Sequence, residues 1–334
     1  MTRRTFLAVA AAGARAQTPP RSSMGLNPYS FGLSRRSGEA LEFLEFAHSL
    51  GAGGVQAVLK SFEPDYLKQV RERAGRLGMY LEVIGSLPKD DAAPFEALVR
   101  AAREAGALCL RAVCLSGRRY ETFSSLEEWK RFVAESRARL ARAVPVLEKH
   151  RLGLGLENHK DWTLEEMVRL LGSYSSEYLG ACIDFGNNIA LLDDPMEVVE
   201  GLAPFALSAH IKDMAAEEYA EGFLLAEVAL GRGLLDLPAI VGTIRKARPR
   251  VKFSLEMITR NPLKVPCLTE KYWASFPDRN GRYLARTLAW VRANRPRQPL
   301  PNLDLLDQAG RLELEMENVR QSLAYARDKL ELRL

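Results

Sequence analysis

Four short apolar segments of the chain each end in a side chain that can bind a metal ion. These side chains are Glu157, Asp184, His210 and Glu256, which follow one another at intervals of 27, 26 and 46 residues. One βα repeat takes roughly 25–30 residues when a strand, a helix and two short loops are added. The first two intervals therefore correspond to one repeat each, and the third to a repeat with an insertion. Because consecutive strands of a parallel barrel end side by side at one face, we expect the four side chains to converge there.

Three carboxylates and one imidazole form an oxygen-rich set of donors. Such a set favours Mn²⁺, Mg²⁺ or Co²⁺ over a thiolate type of zinc site. A single acidic residue at a strand end is more often a helix cap or a salt-bridge partner, but four candidates on consecutive strands reverse that expectation. We predict one divalent metal ion, with Mn²⁺ as the first choice and Mg²⁺, Co²⁺ or Zn²⁺ as alternatives. Bound there, it would stabilise the enediolate that forms when a proton next to a carbonyl is removed.

The pattern around these residues alternates between strand-like and helix-like segments. Strands are predicted over residues 24–31, 54–59, 79–84, 107–115, 153–158, 179–185, 206–211 and 252–258. Helices are predicted over 39–50, 64–77, 92–105, 125–150, 236–247 and 281–293, and from about 163 and 195, with a break expected near Pro145. Eight βα units with uniformly apolar strands indicate the α/β class and a (β/α)₈ TIM barrel over 24–298. A doubly wound sheet would require a glycine-rich phosphate turn after its first strand, and the sequence has none.

Composition excludes several classes of function. The chain has 334 residues with a formal net charge of +5, and residues 1–16 contribute +3 of that charge through Arg3, Arg4 and Arg15. The remaining +2 includes no basic stripe with interleaved aromatic residues, so we predict no nucleic-acid partner. The four cysteines form no CxxC pair, and a disulfide framework is not expected.

Both ends of the chain lie outside the predicted barrel. Residues 1–16 resemble a twin-arginine export signal with cleavage before Gln17, followed by a linker over 17–23. This predicts a periplasmic or exported protein; if the segment is only an apolar N-terminus, the protein is cytoplasmic. The apolar stretch is too short to span a bilayer, and no other segment resembles a membrane span.

Residues 302–334 form a second addition, predicted as an amphipathic helix. Its apolar stripe is Leu312, Met316, Val319, Leu323, Ala326 and Leu330. This heptad-like spacing fits either packing on the chain's own barrel or association into a homo-oligomer.

Five motifs appear in order at the predicted strand ends: ENH at 157–159, CIDFGNN at 182–188, HIKD at 210–213, GRGLLD at 231–236 and LE at 255–256. Together they resemble the xylose isomerase-like TIM barrel superfamily over about residues 24–293. Within it they are most similar to the sugar (phosphate) isomerase/epimerase group, which includes tagatose 3-epimerase and inosose dehydratase. The apurinic endonuclease branch of this fold needs a histidine-rich zinc site, which four histidines in the whole chain do not supply.

The resemblance implies a function and roles for the four residues. Glu157, Asp184, His210 and Glu256 would bind one divalent ion, and Glu157 and Glu256 would also move protons. The implied protein is an isomerase or epimerase that acts on a sugar or keto-sugar through an enediolate. One alternative is a dehydratase or lyase acting on an inosose or a 3-keto-glycoside. Another is a non-catalytic periplasmic sugar-binding protein.

Further residues near the motifs are candidates for contact with a small carbohydrate substrate. They are His159, Trp162, Asn187, Lys212 and Arg232. Asn187 departs from the tagatose-type epimerases, which have a histidine in this region, so their substrate does not transfer directly. Asp213 is predicted to support a metal ligand, and Arg118, Arg119 and Arg260 are candidate anchors for an anionic group. Each of these residues also has an ordinary structural interpretation, as a loop histidine, core aromatic or surface arginine.

Overall fold

The computed structural model describes residues 20–296 and 298–334. The predicted export signal over 1–16 and its cleavage site lie outside the described residues, as does the first part of the predicted linker. In the part of the chain that is described, no helix combines the length and the apolar character needed to cross a membrane.

Eight parallel strands close into a barrel, which confirms the predicted (β/α)₈ fold. The barrel strands are β1 (Gly25–Leu26), β2 (Gly54–Ala57), β3 (Tyr80–Ile84), β4 (Cys109–Val113), β5 (Gly153–Glu157), β6 (Leu179–Asp184), β7 (Ala206–Ile211) and β10 (Phe253–Leu255). They are hydrogen-bonded in the order β1-β10-β7-β6-β5-β4-β3-β2. A separate antiparallel sheet contains β8 (Asp213–Tyr219), β9 (Gly222–Val228) and β11 (Leu263–Val265). The strands β5, β6, β7 and β10 are therefore neighbours in the barrel, as the prediction of a shared metal site requires.

Helices cover the outside of the barrel. They are α1 (Ala40–Ser49), α2 (Pro64–Leu77), α3 (Ala93–Glu104), α4 (Arg119–Thr122), α5 (Leu126–His150), α6 (Leu164–Gly172), α7 (Pro195–Leu202), α8 (Leu237–Ala247), α9 (Glu270–Trp273), α10 (Gly281–Ala293) and α11 (Gln308–Lys329). Short 3₁₀ helices span Pro28–Phe31, Asn187–Leu191, Ala203–Phe205 and Leu303–Leu305. The start of α6 is fixed by a capping box between Thr163 and Glu166, which leads the chain out of the loop after β5.

Three predicted elements differ from the structure. The strand predicted over 24–31 is short because Asn27 caps a 3₁₀ turn that begins with Pro28, and proline cannot donate to a ladder. The predicted break at Pro145 is wrong: α5 runs through it, because buried Leu140, Ala143, Val146 and Leu147 pack on both sides of the proline. The insertion expected in the repeat after β7, for which no regular structure was predicted, contains a hairpin of β8 and β9.

The C-terminal helix α11 packs on the chain's own barrel. Val319, Leu323, Ala326 and Leu330 are buried, which covers most of the predicted apolar stripe. The side chain of Glu315 accepts hydrogen bonds from the backbone of Leu33 at 2.7 Å and of Ser34 at 3.0 Å. The stripe therefore stabilises the monomer, and homo-oligomerisation stays a prediction.

Candidate metal centre and substrate pocket

The four strand-end side chains converge at one end of the barrel. Glu157 ends β5, Asp184 ends β6, His210 is the last residue but one of β7, and Glu256 directly follows β10. One potential ligand atom from each lies within 4.8 Å of the others, and all four side chains are buried. The convergence expected from the spacing is therefore present, while metal binding itself stays a prediction.

Local hydrogen bonds hold these strand ends in register. Asn158 bridges β5 and β6, because its amide donates to the carbonyl of Asp184 at 2.5 Å and accepts from the Asp184 backbone N–H at 2.9 Å. The Oδ1 atom of Asp184 then accepts from the backbone of Gly186 at 3.0 Å and of Asn187 at 2.9 Å. Asp184 thus uses one oxygen to shape its loop and presents the other to the centre.

Atoms that face the centre fit the predicted ion. Nδ1 of His210 is buried and has no hydrogen-bond partner in the described residues, and it lies beside Oε2 of Glu157 and Oδ2 of Asp184, which pair with Arg111 and Lys212. Leaving a buried polar atom unsatisfied typically costs ~1–3 kcal/mol. Two carboxylate oxygens and an imidazole nitrogen aimed at the same space are suitable ligands for a divalent cation.

The partners of His210 decide which ring nitrogen faces that space. Nε2 lies 2.8 Å from Oε1 of Gln56, and Nε2 of Gln56 donates to Glu82 at 2.8 Å. Gln56 therefore presents an acceptor to Nε2 of His210, which leaves Nδ1 as the ring nitrogen that is available to a metal ion. Nδ1 lies 3.5 Å from Glu157, 3.7 Å from Asp184 and 3.5 Å from Glu256.

A polar layer inside the barrel supports this arrangement. Ser208 also donates to Glu82, at 2.7 Å, so Gln56, Glu82 and Ser208 link three strands beneath His210. These three residues were not predicted from the sequence. The available signal was a glutamine and a glutamate in the middle of otherwise apolar strands two and three.

We expect the Gln56→Leu substitution to weaken Mn²⁺ binding. The leucine removes the acceptor that faces Nε2 of His210, and loss of such an outer partner typically costs 10–100-fold in metal affinity. Titration calorimetry of metal-free protein with Mn²⁺ would measure the effect. Gln321→Leu is the matched control, because Gln321 lies on α11 and bonds only with Glu317. Unchanged affinity in Gln56→Leu would contradict the role assigned to this layer.

Three buried cations surround the carboxylates. Arg111 on β4 forms an ion pair with Glu157 and lies 3.9 Å from Glu256. Lys212 lies 2.7 Å from Asp184 and 3.0 Å from Glu256. The third, Lys160, follows β5 and is linked to Glu157 through Asn187, which accepts from the lysine and donates to the glutamate. These positive charges favour the ionised forms of Glu157 and Glu256 despite the burial of both side chains.

The pKa values of two of these carboxyl groups follow from this balance. Burial alone would raise the pKa of Glu157, but Arg111 and His210 lower it well below its ordinary value. Burial would likewise raise the pKa of Glu256, but the positive charges of His210 and Lys212 outweigh this effect. The pKa of Glu256 is therefore also well below its usual range.

A cavity of about 370 Å³ opens beside the centre. Glu256, Arg111, His159 and Lys160 line its inner part. Its outer part is lined by Arg118, which pairs with Glu121, and by Arg260, which lies 2.8 Å from Glu227. Four cationic side chains against two acidic ones line this cavity, so the pocket favours an anionic ligand.

Some predicted substrate residues lie at the centre or its pocket. His159 lines the cavity, and its Nδ1 lies 3.0 Å from the carbonyl of Leu115. Asn187 donates to Glu157 at 3.2 Å and accepts from Lys160. Lys212 contacts Asp184 and Glu256 instead of its neighbour Asp213.

Other predicted residues lie elsewhere. Trp162 is buried in the core, where its ring packs 5.2 Å from that of Trp129. Arg232 is exposed and contacts Gln298, away from the cavity. Arg119 is buried against Glu166. A core or surface role explains these three side chains, as the ordinary interpretation of each allowed.

Asp213, which was predicted to support a metal ligand, makes its hydrogen bonds with backbone N–H groups of a loop, and its support of a ligand stays a prediction. Asp213 accepts hydrogen bonds from the backbone N–H groups of Gly231 and Gly233, each at 2.9 Å. It also accepts from Leu235 at 3.2 Å. Its carboxylate therefore holds the glycine turn before α8, a requirement that the sequence pattern did not reveal.

Comparison with known proteins identifies the family. Residues 44–293 match the xylose isomerase-like TIM barrel family, and the chain belongs to it. The chain is 31% identical over 235 residues to the 3-oxo-isoapionate decarboxylase of Pectobacterium atrosepticum, an alignment that covers 67% of this chain and 81% of that protein. The family predicted from the motifs is therefore confirmed, and its named relatives are enzymes.

Solved structures agree in fold. A xylose isomerase-like TIM barrel protein from Mycobacterium smegmatis, in complex with magnesium, has a TM-score of 0.55 and 13% identity, and covers 81% of this chain and 98% of that one. The 3-keto-D-glucoside 4-epimerase of E. coli has a TM-score of 0.54 and 13% identity, and covers 82% of this chain and 100% of that one. At such identities the likeness concerns the fold alone.

Proposed function

We propose that the protein is a divalent-metal-dependent lyase that decarboxylates a 3-oxo sugar acid. The observation that carries this proposal is the charge around the candidate metal centre. Glu157, Asp184 and Glu256 carry three negative charges, and the buried Arg111, Lys160 and Lys212 carry three positive ones. A divalent ion would leave two positive charges in excess. A substrate carboxylate offsets one of these charges from the moment of binding, and the same charge passes to the enolate oxygen when neutral CO₂ leaves, whereas a neutral sugar brings no charge to the site.

The chemistry of a 3-oxo acid suits these residues. The bond between C2 and the carboxylate breaks, its electron pair moves to form an enolate with the C3 carbonyl, CO₂ leaves, and C2 takes up a proton. A bound divalent ion would supply the Lewis acidity that stabilises the enolate oxygen. Arg111 and Lys212 add fixed positive charge, and because both side chains are buried, these charges are more effective than they would be at the surface. No general base is needed, which agrees with the low pKa values of Glu157 and Glu256.

Similarity to the decarboxylase of Pectobacterium atrosepticum supports this choice of reaction and suggests 3-oxo-isoapionate as the first substrate to test. Mn²⁺ remains the first metal to supply, with Mg²⁺, Co²⁺ and Zn²⁺ as alternatives. Export through residues 1–16 also stays a proposal, and it would place the reaction outside the cytoplasm.

An isomerase or epimerase is the second candidate. Glu157 and Glu256 both belong to the convergent set and approach it from different strands, so one could remove a proton from a keto-sugar and the other could return it. Dehydration of an inosose or a 3-keto-glycoside would use the same enolate with a different leaving group. A non-catalytic sugar-binding protein is the least favoured, because it would have no need for three buried cations beside an intact ligand set.

One experiment separates these functions. Protein loaded with Mn²⁺ is incubated in D₂O with 3-oxo-isoapionate and, separately, with free keto-sugars and cyclitol ketones, and the products are followed by NMR and by CO₂ release. We expect CO₂ and a deuterated product from 3-oxo-isoapionate. Deuterium exchange with conserved mass in a keto-sugar would support the epimerase instead, and loss of water or an aglycone the dehydratase. Absence of all these changes would contradict the enzymatic proposals.

A further inference from the structure

Lys160 has an unusual backbone and a buried side chain. It lies in the loop between β5 and α6 with a φ of 58°, a left-handed conformation that residues other than glycine adopt uncommonly. The residue as a whole is only 4% exposed to solvent. Left-handed conformations at such residues are strained and cluster at functional sites. The conformation is held in part by the carbonyl of Lys160, which accepts from the backbone of Arg119 at 3.0 Å.

Lys160 also differs from the other cations of the pocket in its partners. Arg111, Arg118, Arg260 and the neighbouring Lys212 each form an ion pair with a carboxylate. Among the described residues, Lys160 forms no such ion pair, and its ammonium group donates to the amide oxygen of Asn187. Burying an ammonium group without a counter-charge is costly, so this charge is available for a ligand.

The amine lies on the side of the cavity nearest the metal centre. Asn187, which accepts from Lys160, donates its own amide to Glu157 at 3.2 Å. Lys160 lines the same cavity as Arg111 and Glu256. A substrate that reaches Glu157 and Glu256 from this cavity therefore passes within range of the amine.

We propose that Lys160 is the catalytic acid that protonates C2 of the substrate after CO₂ has left. This inference rests on the proposed function. Before the reaction, the ammonium group pairs with the substrate carboxylate, which places it beside the carbon that loses CO₂. The N–H bond of Lys160 then breaks, its proton forms a bond to C2 with the electron pair of the enolate, and the neutral amine regains a proton from solvent through the cavity.

The acidity of the amine suits this role. Burial, together with the nearby charges of Lys212 and Arg260, lowers the pKa of Lys160 to about 8, while Glu227 and Asp184 oppose the decrease. General acids are most effective when their pKa lies near the working pH. The protonated amine is the active form, so activity is retained below about pH 8 and is lost as the pH rises through that value.

Two substitutions distinguish proton transfer from simple anion binding. Lys160→Met, loaded with Mn²⁺ and assayed with 3-oxo-isoapionate, is expected to lose ~10²–10⁴-fold in kcat, the usual contribution of a general acid. Its kcat/KM should no longer fall through about pH 8. In D₂O the parent should add the single deuterium to one face of C2 only. The Lys160→Met variant should add it to either face and give a mixture of the two stereoisomers. Lys160→Arg keeps the positive charge but cannot give up a proton near neutral pH. Its KM should therefore equal that of the parent, while its kcat should be as low as that of Lys160→Met.

Lys68→Met, at an exposed position of α2, is the control and should match the parent. A Lys160→Met variant with the parent's kcat, or a Lys160→Arg variant with full kcat, would overturn the inference. A second measurement needs no substrate: acetylation of the Mn²⁺-loaded protein by acetic anhydride, followed by mass spectrometry, should give Lys160 a midpoint near pH 8. An exposed lysine titrates at about pH 10.4, and such a midpoint at Lys160 would also overturn the inference.

These outcomes separate the two proposals. If the parent protein releases no CO₂ from 3-oxo-isoapionate, the proposed function fails. The acetylation midpoint still reports on the amine, and deuterium exchange in keto-sugars by the parent and Lys160→Met then decides whether Lys160 transfers protons. If CO₂ is released but Lys160→Met matches the parent, only the role of Lys160 fails.

Discussion

Asp184→Asn is expected to lose Mn²⁺ binding and, with it, turnover. Asparagine keeps an oxygen that can accept from Gly186 and Asn187, so the loop after β6 should remain in place. The substitution removes the charged oxygen that faces the centre. Loss of a partner outside the ligand set costs roughly 10–100-fold in metal affinity, and loss of a ligand should cost at least as much. Titration calorimetry and the metal content of the purified protein would measure the change.

Asp194→Asn is the matched control for this experiment. Asp194 caps α7 by accepting from the backbone of Met196 at 2.9 Å and of Glu197 at 3.1 Å, and it has no contact with the centre. The Mn²⁺ affinity of the Asp194→Asn variant should equal that of the parent. If Asp184→Asn binds Mn²⁺ as tightly as Asp194→Asn does, the four side chains are not a metal site, and the proposed chemistry fails with it.

Arg111→Met is expected to have its largest effect on the metal-free protein. Arg111 is buried between Glu157 and Glu256, and removing one partner of a buried ion pair typically lowers the free energy of unfolding by ~3–5 kcal/mol. A divalent ion supplies positive charge to the same carboxylates, so we expect saturating Mn²⁺ to recover much of this loss. Urea denaturation of parent and variant, with and without Mn²⁺, would measure both quantities.

Arg103→Met controls for the change of side chain. Arg103 is exposed on α3 and donates to the carbonyl of Arg151. Its substitution should therefore lower the free energy of unfolding only slightly, and by the same amount with and without metal. A loss in Arg111→Met that Mn²⁺ does not reduce would mean that the arginine and the ion do not share these carboxylates. The predicted centre would then need a different set of ligands.

Most of the barrel was predictable because its signals are local. The apolar runs, the caps at Glu39, Thr163 and Asp236, and the regular spacing each depend on residues a few positions apart. The errors arose where a local signal was outweighed. Pro145 stays within a helix because the buried side chains around it favour continuation, and the strand predicted to begin at Met24 is shortened by the turn at Asn27.

The sequence by itself determined the fold, the family and the four side chains that converge, because spacing along βα units decides where each strand ends in a parallel barrel. Only the tertiary structure decided how those side chains are charged and held. Gln56 lies 154 positions from His210, and Arg111 comes from a different strand from either glutamate, so barrel closure is what creates these contacts. The folded structure also distinguishes Lys160, which has no carboxylate partner in the described part of the chain, from Trp162 in the core and Arg232 on the surface. Contacts across the barrel have no fixed spacing, and for that physical reason no pattern in the chain predicts them.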